Sequence, residues 1–236
     1  MAPDQQGEAP GAGIDPAGHV WNVDDLCALQ ALRSLEGRYL PWSAGAMRPS
    51  GLVAILNEIV LGSRERIVEC GSGISTVYIA RLLAERGGRL ISIEHDPAWA
   101  RFVEGELAAE GLGDKAEVVR APLEPHPLSL DGSDWYPRRA TDHAVESLGS
   151  IDVLVVDGPP ADRPEIERSR YPALPVLSEA LAPNAVLILD DANRSGEARV
   201  LERWSTESEI EFAPRPDLGW IAIGHRRRPL DPASVK

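Results

Sequence analysis

From residue 63 to residue 226 the chain alternates short apolar runs with amphipathic stretches. Runs at 66–70, 90–94, 116–120, 151–156 and 185–190 predict strands, and segments near 74–86, 97–110, 172–182 and 195–205 predict helices. Val153-Leu-Val-Val156 and Val186-Leu-Ile-Leu189 are continuously apolar, as strands covered on both faces are. Two more runs, near 209–213 and 219–224, close the pattern as an antiparallel pair. This alternation predicts an α/β fold with a mostly parallel sheet between two helical layers. Ahead of it, Leu26, Leu29 and Leu32 mark a helix starting after Asn22, and Leu52, Ile55, Ile59 and Val60 mark a second over about 50–61. The stretch 38–49 between them is irregular. Residues 121–150, rich in proline and carrying Gly132, read as a long irregular insertion, expected to be mobile and to close over a ligand.

In such sheets a ligand sits beyond the carboxyl ends of the strands. Five acids fall there: Glu69, Glu94, Asp157, Asp190 and Asp191. The first strand runs into Glu69-Cys-Gly-Ser-Gly-Ile-Ser-Thr76, a glycine turn opening a helix, and the second strand ends on Glu94-His95. A tight glycine turn brings backbone N–H groups close to a charged small molecule, and an acid ending the next strand can hold two ribose hydroxyls. Dinucleotide sites carry a third glycine three residues after the second, to open the helix beside a pyrophosphate. Here that residue is Thr76, and Glu69 would repel a pyrophosphate while suiting a cationic ligand end.

These residues resemble the class I S-adenosylmethionine-dependent methyltransferases. Further segments arrive in that family's order: Ala121-Pro-Leu123, Ile151 to Pro160, Arg170-Tyr-Pro-Ala-Leu-Pro175 and Ala185 to Ala192. They look like its bacterial small-molecule branch, related to metal-dependent O-methyltransferases. The resemblance implies a Rossmann-like seven-stranded sheet of order 3-2-1-4-5-7-6. It implies that Glu69, Gly71, Ser72, Gly73, Ser75 and Thr76 meet the methionine part of the cofactor. Glu94 and His95 would meet the ribose, and Ala121, Pro122 and Leu123 would border the adenine. Asp157, Asp190 and Asp191 match a strand-four acid and a strand-five acid pair that hold Mg²⁺ or another divalent ion in those enzymes, with Asp157 also beside the cofactor. The same acids could instead cap helices or order turns. Catechol-type relatives carry a lysine shortly after the strand-four acid, but Ala161 to Arg170 has none. The base is therefore open among His126, His143, His95 and metal-assisted ionisation alone. Trp42, Met47, Trp135 and Tyr136 are candidates for lining the acceptor pocket or for plain packing.

Composition narrows the partners. The formal net charge of −13 argues against nucleic acid, and Lys115 and Lys236 are the only lysines. The one basic cluster, Arg226-Arg-Arg228, reads as a solvated tail. No apolar run reaches the roughly 20 residues needed to span a membrane. Two cysteines, Cys27 and Cys70, and an N-terminus without a basic start or apolar core lead to the expectation of a reducing cytoplasm. The expected organisation is an N-terminal tail over 1–19, an acceptor-side helical segment over 20–62, a methyltransferase domain over 63–226 and a tail over 227–236. The expected activity is O-methylation of a small hydroxylated acceptor. Metal-free N-methylation, a nucleotide-binding oxidoreductase and a non-catalytic domain are its rivals, and a homodimer is left open.

Overall fold

The computed structural model describes residues 13–14, 20–43 and 45–226; most of the 1–19 tail and all of the 227–236 tail lie outside them. Two helices come first, α1 (Val23–Leu32) and α2 (Pro49–Leu61). Asn22 caps α1 by accepting from Asp25 N–H at 2.9 Å, and Asp25 returns the bond to Asn22 N–H. The buried Asp25 also accepts from Ser50 Oγ at 2.7 Å and pairs with Arg48, which fastens α1 to the start of α2.

The alternating region then runs β1 (Arg66–Cys70), α3 (Ile74–Arg86), β2 (Arg89–Glu94), α4 (Pro97–Ala109) and β3 (Ala116–Arg120). It continues as α5 (Arg138–Leu148), β4 (Ile151–Val156), α6 (Ala173–Leu177), β5 (Leu181–Leu189) and α7 (Ser195–Glu207). The strands β6 (Ile210–Arg215) and β7 (Ile221–Arg226) end it. The sheet order is β3-β2-β1-β4-β5-β7-β6, with only β7 antiparallel to its neighbours, which is the expected 3-2-1-4-5-7-6 order.

Side-chain alternation along the strands builds two cores, one on each face. Ile67, Leu90, Val153, Val155, Val186 and Ile188 pack against α2, α3 and α4. Val68, Ile91, Leu154, Val156, Leu187 and Leu189 face α5, α6 and α7, where Trp204 is buried. Among the described residues no helix is long and apolar enough to cross a membrane.

Three expectations need correction. The stretch 121–150 is not an irregular, mobile insertion: it holds a short antiparallel pair, Glu124–Pro125 with Asp134–Trp135, and the eleven-residue α5. Trp135 and Tyr136 are fully buried in the second core rather than displayed on a lid. Helix α6 covers only 173–177 and passes through a 3-10 turn over 178–180, because β5 starts at Leu181 rather than 185. The extra length is taken up by a register shift against β4 between Ile151 and Val153.

Candidate functional site

Every predicted strand-end acid lies along one edge of the sheet, and the edge opens into a cleft of about 560 Å³, within the size range of small-molecule sites. Its floor is the crossing of two chain segments. Gly71, at φ +90°, follows β1, and Gly158 follows β4; a methyl group on Gly71 would come within 3.0 Å of the Asp157 and Gly158 backbone. Only glycine allows this approach at that backbone angle. The turn hydrogen-bonds to both neighbouring strand ends, with Gly71 N–H donating to Ile93 O and Asp157 N–H to Cys70 O, each at 2.9 Å.

Glu94 faces the cleft and is held firmly. It accepts from Ser72 N–H at 2.8 Å and from Asp96 N–H at 2.7 Å, and His95 Nδ1 lies 2.9 Å away. Burial pushes this carboxyl up, but the bonds from His95, Asp96 and Ser72 outweigh it and hold it below its ordinary value. An ionised carboxylate at the rim is what a pair of ribose hydroxyls requires. Trp99, three residues past the α4 cap Asp96, forms the adjacent wall, its indole N–H fixed on Ser72 O at 2.7 Å.

Glu69 behaves differently from expectation. It is completely buried and lines no part of the cleft. Ser75, Thr76 and Ser92 donate to its carboxylate at 2.6, 2.6 and 2.7 Å, and burial raises its pKa to about 7. Glu69 therefore anchors the glycine turn from below through the first turn of α3, and Thr76 in turn accepts from Gly73 N–H. Of the expected turn residues, Gly71 and Ser72 line this cleft, while Gly73 and Ser75 line a smaller hollow of about 200 Å³ beside it that shares Ser72, Trp99 and Asp157.

Several other residues also sit elsewhere. Ala121, Pro122 and Leu123 do not line the cleft; Ala121 N–H is bound to Glu94 O at 2.7 Å. His143 pairs with Glu117 at 2.7 Å on the outer side of β3, and His126 packs edge-on against Trp135, 5.3 Å between centroids. Neither reaches the acids, so both are removed as candidate bases; His95 is the histidine that lines the cleft. Trp135 and Tyr136 are core residues rather than acceptor contacts, and Trp42 packs against the first core. Met47 lines the smaller hollow, together with Pro41, Ser43, Gly45 and Ala46 from the irregular stretch before α2, and Gly45 and Ala46 border the main cleft as well.

At the far end Asp157, Asp190 and Asp191 converge, with oxygens within 4.8 Å of one another. Asp191 has φ +59°, the left-handed conformation that aspartate tolerates better than most residues, and this turns it back toward Asp157. Burial raises Asp157 well above the usual carboxylate range, with Asp190 adding to it. Asp190 is pushed to about 7 by burial and then by Asp191. Two residues without an assigned role in the sequence complete the cluster. Arg170 is buried among the acids, and Glu197 lies behind it with no exposure. Arg194, at the mouth, pairs with Asp191 at 2.8 Å.

Comparison with known proteins agrees with this geometry. The family described as "Methyltransferase domain" matches residues 68–192, more than half of the chain, from β1 to just past β5. Catechol O-methyltransferase B of Danio rerio is 28% identical over 141 residues, which are 58% of this chain and 45% of that protein, so the match spans less than half the length of that relative. Catechol O-methyltransferase of Niastella koreensis is 25% identical over 194 residues, 81% of this chain and 76% of the relative. Among solved structures, the O-methyltransferase of Bacillus cereus in complex with SAH superposes with a TM-score of 0.57 at 17% identity, covering 88% of this chain and 92% of the other. An SAH-bound methyltransferase of Podospora anserina gives 0.56 at 13% identity, covering 89% and 90%. At these identities the structures speak for the fold, while the sequence match from the glycine turn to the acid pair speaks for the lineage. The chain belongs to the methyltransferase-domain family.

Proposed function

We propose that the protein methylates a hydroxyl group of a small acceptor, with a divalent cation held by Asp157, Asp190 and Asp191. One observation carries the reading: each of the three carboxylates has one oxygen engaged by the protein and a second that takes no bond from any described residue. Asp157 Oδ1 lies 3.3 Å from Arg170 Nη2, Asp190 Oδ1 accepts from Asp191 N–H at 2.8 Å, and Asp191 Oδ2 meets Arg170 and Arg194. Three free, hard oxygens at adjacent strand ends suit Mg²⁺, with places left for water and acceptor.

Charge supports the same conclusion. The cluster holds four carboxylates, Asp157, Asp190, Asp191 and Glu197, against two guanidiniums, Arg170 and Arg194. The formal excess of two negative charges matches one divalent ion; without it the buried acids must hold protons. A bound divalent ion lowers the pKa of a hydroxyl placed against it. S-adenosylmethionine, when bound, supplies an electrophilic methyl group.

The chain's own contribution is placement. The glycine turn and the rim carboxylate of Glu94 fix the cofactor. Asp157, which borders both the turn and the acid cluster, sets the acceptor oxygen in line with the methyl group. Trp99 and the 41–47 segment keep water from the reacting atoms. Resemblance to catechol O-methyltransferases supports a hydroxylated acceptor, such as a small phenol.

The test is turnover of a catechol panel in excess chelator. Activity should vanish, SAH should still raise the melting temperature, and Mg²⁺ should restore the rate. Full methyl transfer under chelation would point to a metal-free reaction with the acids serving only as partners of Arg170. A companion measurement concerns the rim: Glu94→Ala is expected to weaken SAH binding by about 1.5–3 kcal/mol in calorimetry, because charge-assisted bonds to two hydroxyls are lost. Equal affinity would remove Glu94 from the cofactor site.

A further inference from the structure

We propose that Arg170 is the positioning residue of the acid cluster: one buried guanidinium holds one oxygen each of Asp157 and Asp191, and so presents their second oxygens to the cation. This rests on the metal reading above and adds a residue to it that contacts neither ion nor substrate.

Nη2 lies 3.3 Å from Asp157 Oδ1 and 3.1 Å from Asp191 Oδ2. The same nitrogen donates to Asp157 O at 3.1 Å, Nη1 donates to Asp190 O at 3.1 Å, and Nε donates to Pro159 O at 3.3 Å. The guanidinium therefore ties the backbone ends of β4 and β5 together while it aims side chains from both. The two N–H groups of Nη2 are shared among three acceptors while Nη1 and Nε reach Asp190 O and Pro159 O; a lysine ammonium, with three donors at one point, cannot span these positions.

Glu197 is a further acidic neighbour of the arginine. Its Oε1 stands 3.6 Å from Arg170 Nη1 and 3.7 Å from Arg194 Nη1, and both of its oxygens lack a hydrogen-bond partner among the described residues. Asp190 is held independently, by Asp191 N–H. Loss of the arginine should thus release two of the three ligands and spare the third.

Arg170→Lys and Arg170→Met are the variants to make, with Mn²⁺ as the probe. Metal binding is followed by calorimetry and by the electron paramagnetic resonance spectrum of the bound ion; SAH binding is followed separately. The expected result is a 10- to 100-fold loss of Mn²⁺ affinity in both variants, a changed Mn²⁺ spectrum, and SAH affinity within about threefold of the parent. Lysine should not rescue, although it restores the charge. Equal Mn²⁺ affinity and spectrum in variants and parent would overturn the assignment while leaving the metal reading intact. Parallel loss of SAH binding would also overturn it, by making the arginine a general support of the fold. A parent protein that binds no Mn²⁺ overturns both readings together. Should neither variant fold, a crystal structure of the parent with Mn²⁺ decides. The ion must bind the oxygens of Asp157 and Asp191 turned away from Arg170; ligation through the oxygens facing it, or displacement of the arginine, overturns the proposal.

Discussion

Asp157→Ala is expected to lower kcat/KM by roughly 100-fold or more, with SAH affinity nearly unchanged. The backbone at this position is fixed independently of its side chain: Asp157 N–H is bonded to Cys70 O, and its carbonyl accepts from Arg170. Substitution therefore removes a carboxylate without moving the glycine turn beside it. What is lost is the group that lies both next to the turn and within 4.8 Å of Asp190 and Asp191. Asp157→Asn provides the sharper comparison, since it keeps shape and removes charge; it should be nearly as inactive. Initial rates with a catechol acceptor, beside calorimetry with SAH, make the measurement. Normal turnover in both variants would reduce Asp157 to a counter-charge for Arg170.

Gly158→Ala should cause a large loss of stability, about 3 kcal/mol, or a fall in melting temperature of roughly 6–12 °C. A methyl group there would sit 2.5 Å from Tyr136 Oη and 2.8 Å from Gly71 Cα. Tyr136 is fully buried and cannot withdraw, and Gly71 is backbone at the crossing of two strand ends. Relief would have to separate β1 from β4, at the centre of the sheet. Gly105 in α4 is the control, because a methyl group there meets nothing within 4 Å. Gly105→Ala should be neutral or stabilising by up to about 1 kcal/mol, from helix propensity. Identical melting of the parent and Gly158→Ala would contradict the close crossing.

The sheet was legible in the sequence because its central strands are buried on both faces and so are apolar without interruption. The acids at the cleft were legible for a related reason: a charge that ends an apolar run must sit where the strand leaves the core. Helix α5 was legible but overlooked: Ala140, Thr141, Ala144, Val145 and Leu148 recur at helical spacing, yet the proline-rich run ahead of them made the whole stretch read as irregular. Trp135 and Tyr136 looked exposed because proline, glycine and aspartate surround them, yet their rings fill the space beneath the strand ends. Whether Glu69 points up into the cleft or down under the turn depends on three hydroxyls, one of them on the neighbouring strand at Ser92. Arg170 was quoted within a motif but given no role, because the acids it binds lie 13 to 27 residues away and no periodicity connects them.

The stretch before α2 carries a consequence for how such an enzyme changes its preferences. Leu40 and Met47, 5% and 2% exposed, pin its two ends in the core. Between them Pro41, Ser43, Gly45 and Ala46 reach the cleft or the hollow beside it without belonging to the sheet or any helix. A wall attached at two points can be lengthened or rewritten at small thermodynamic cost, since loop closure depends only weakly on length. Divergence toward new acceptors is thus uncoupled from the parts that bind cofactor and cation, and grafting other sequences between the two anchors is the natural route to altered selectivity.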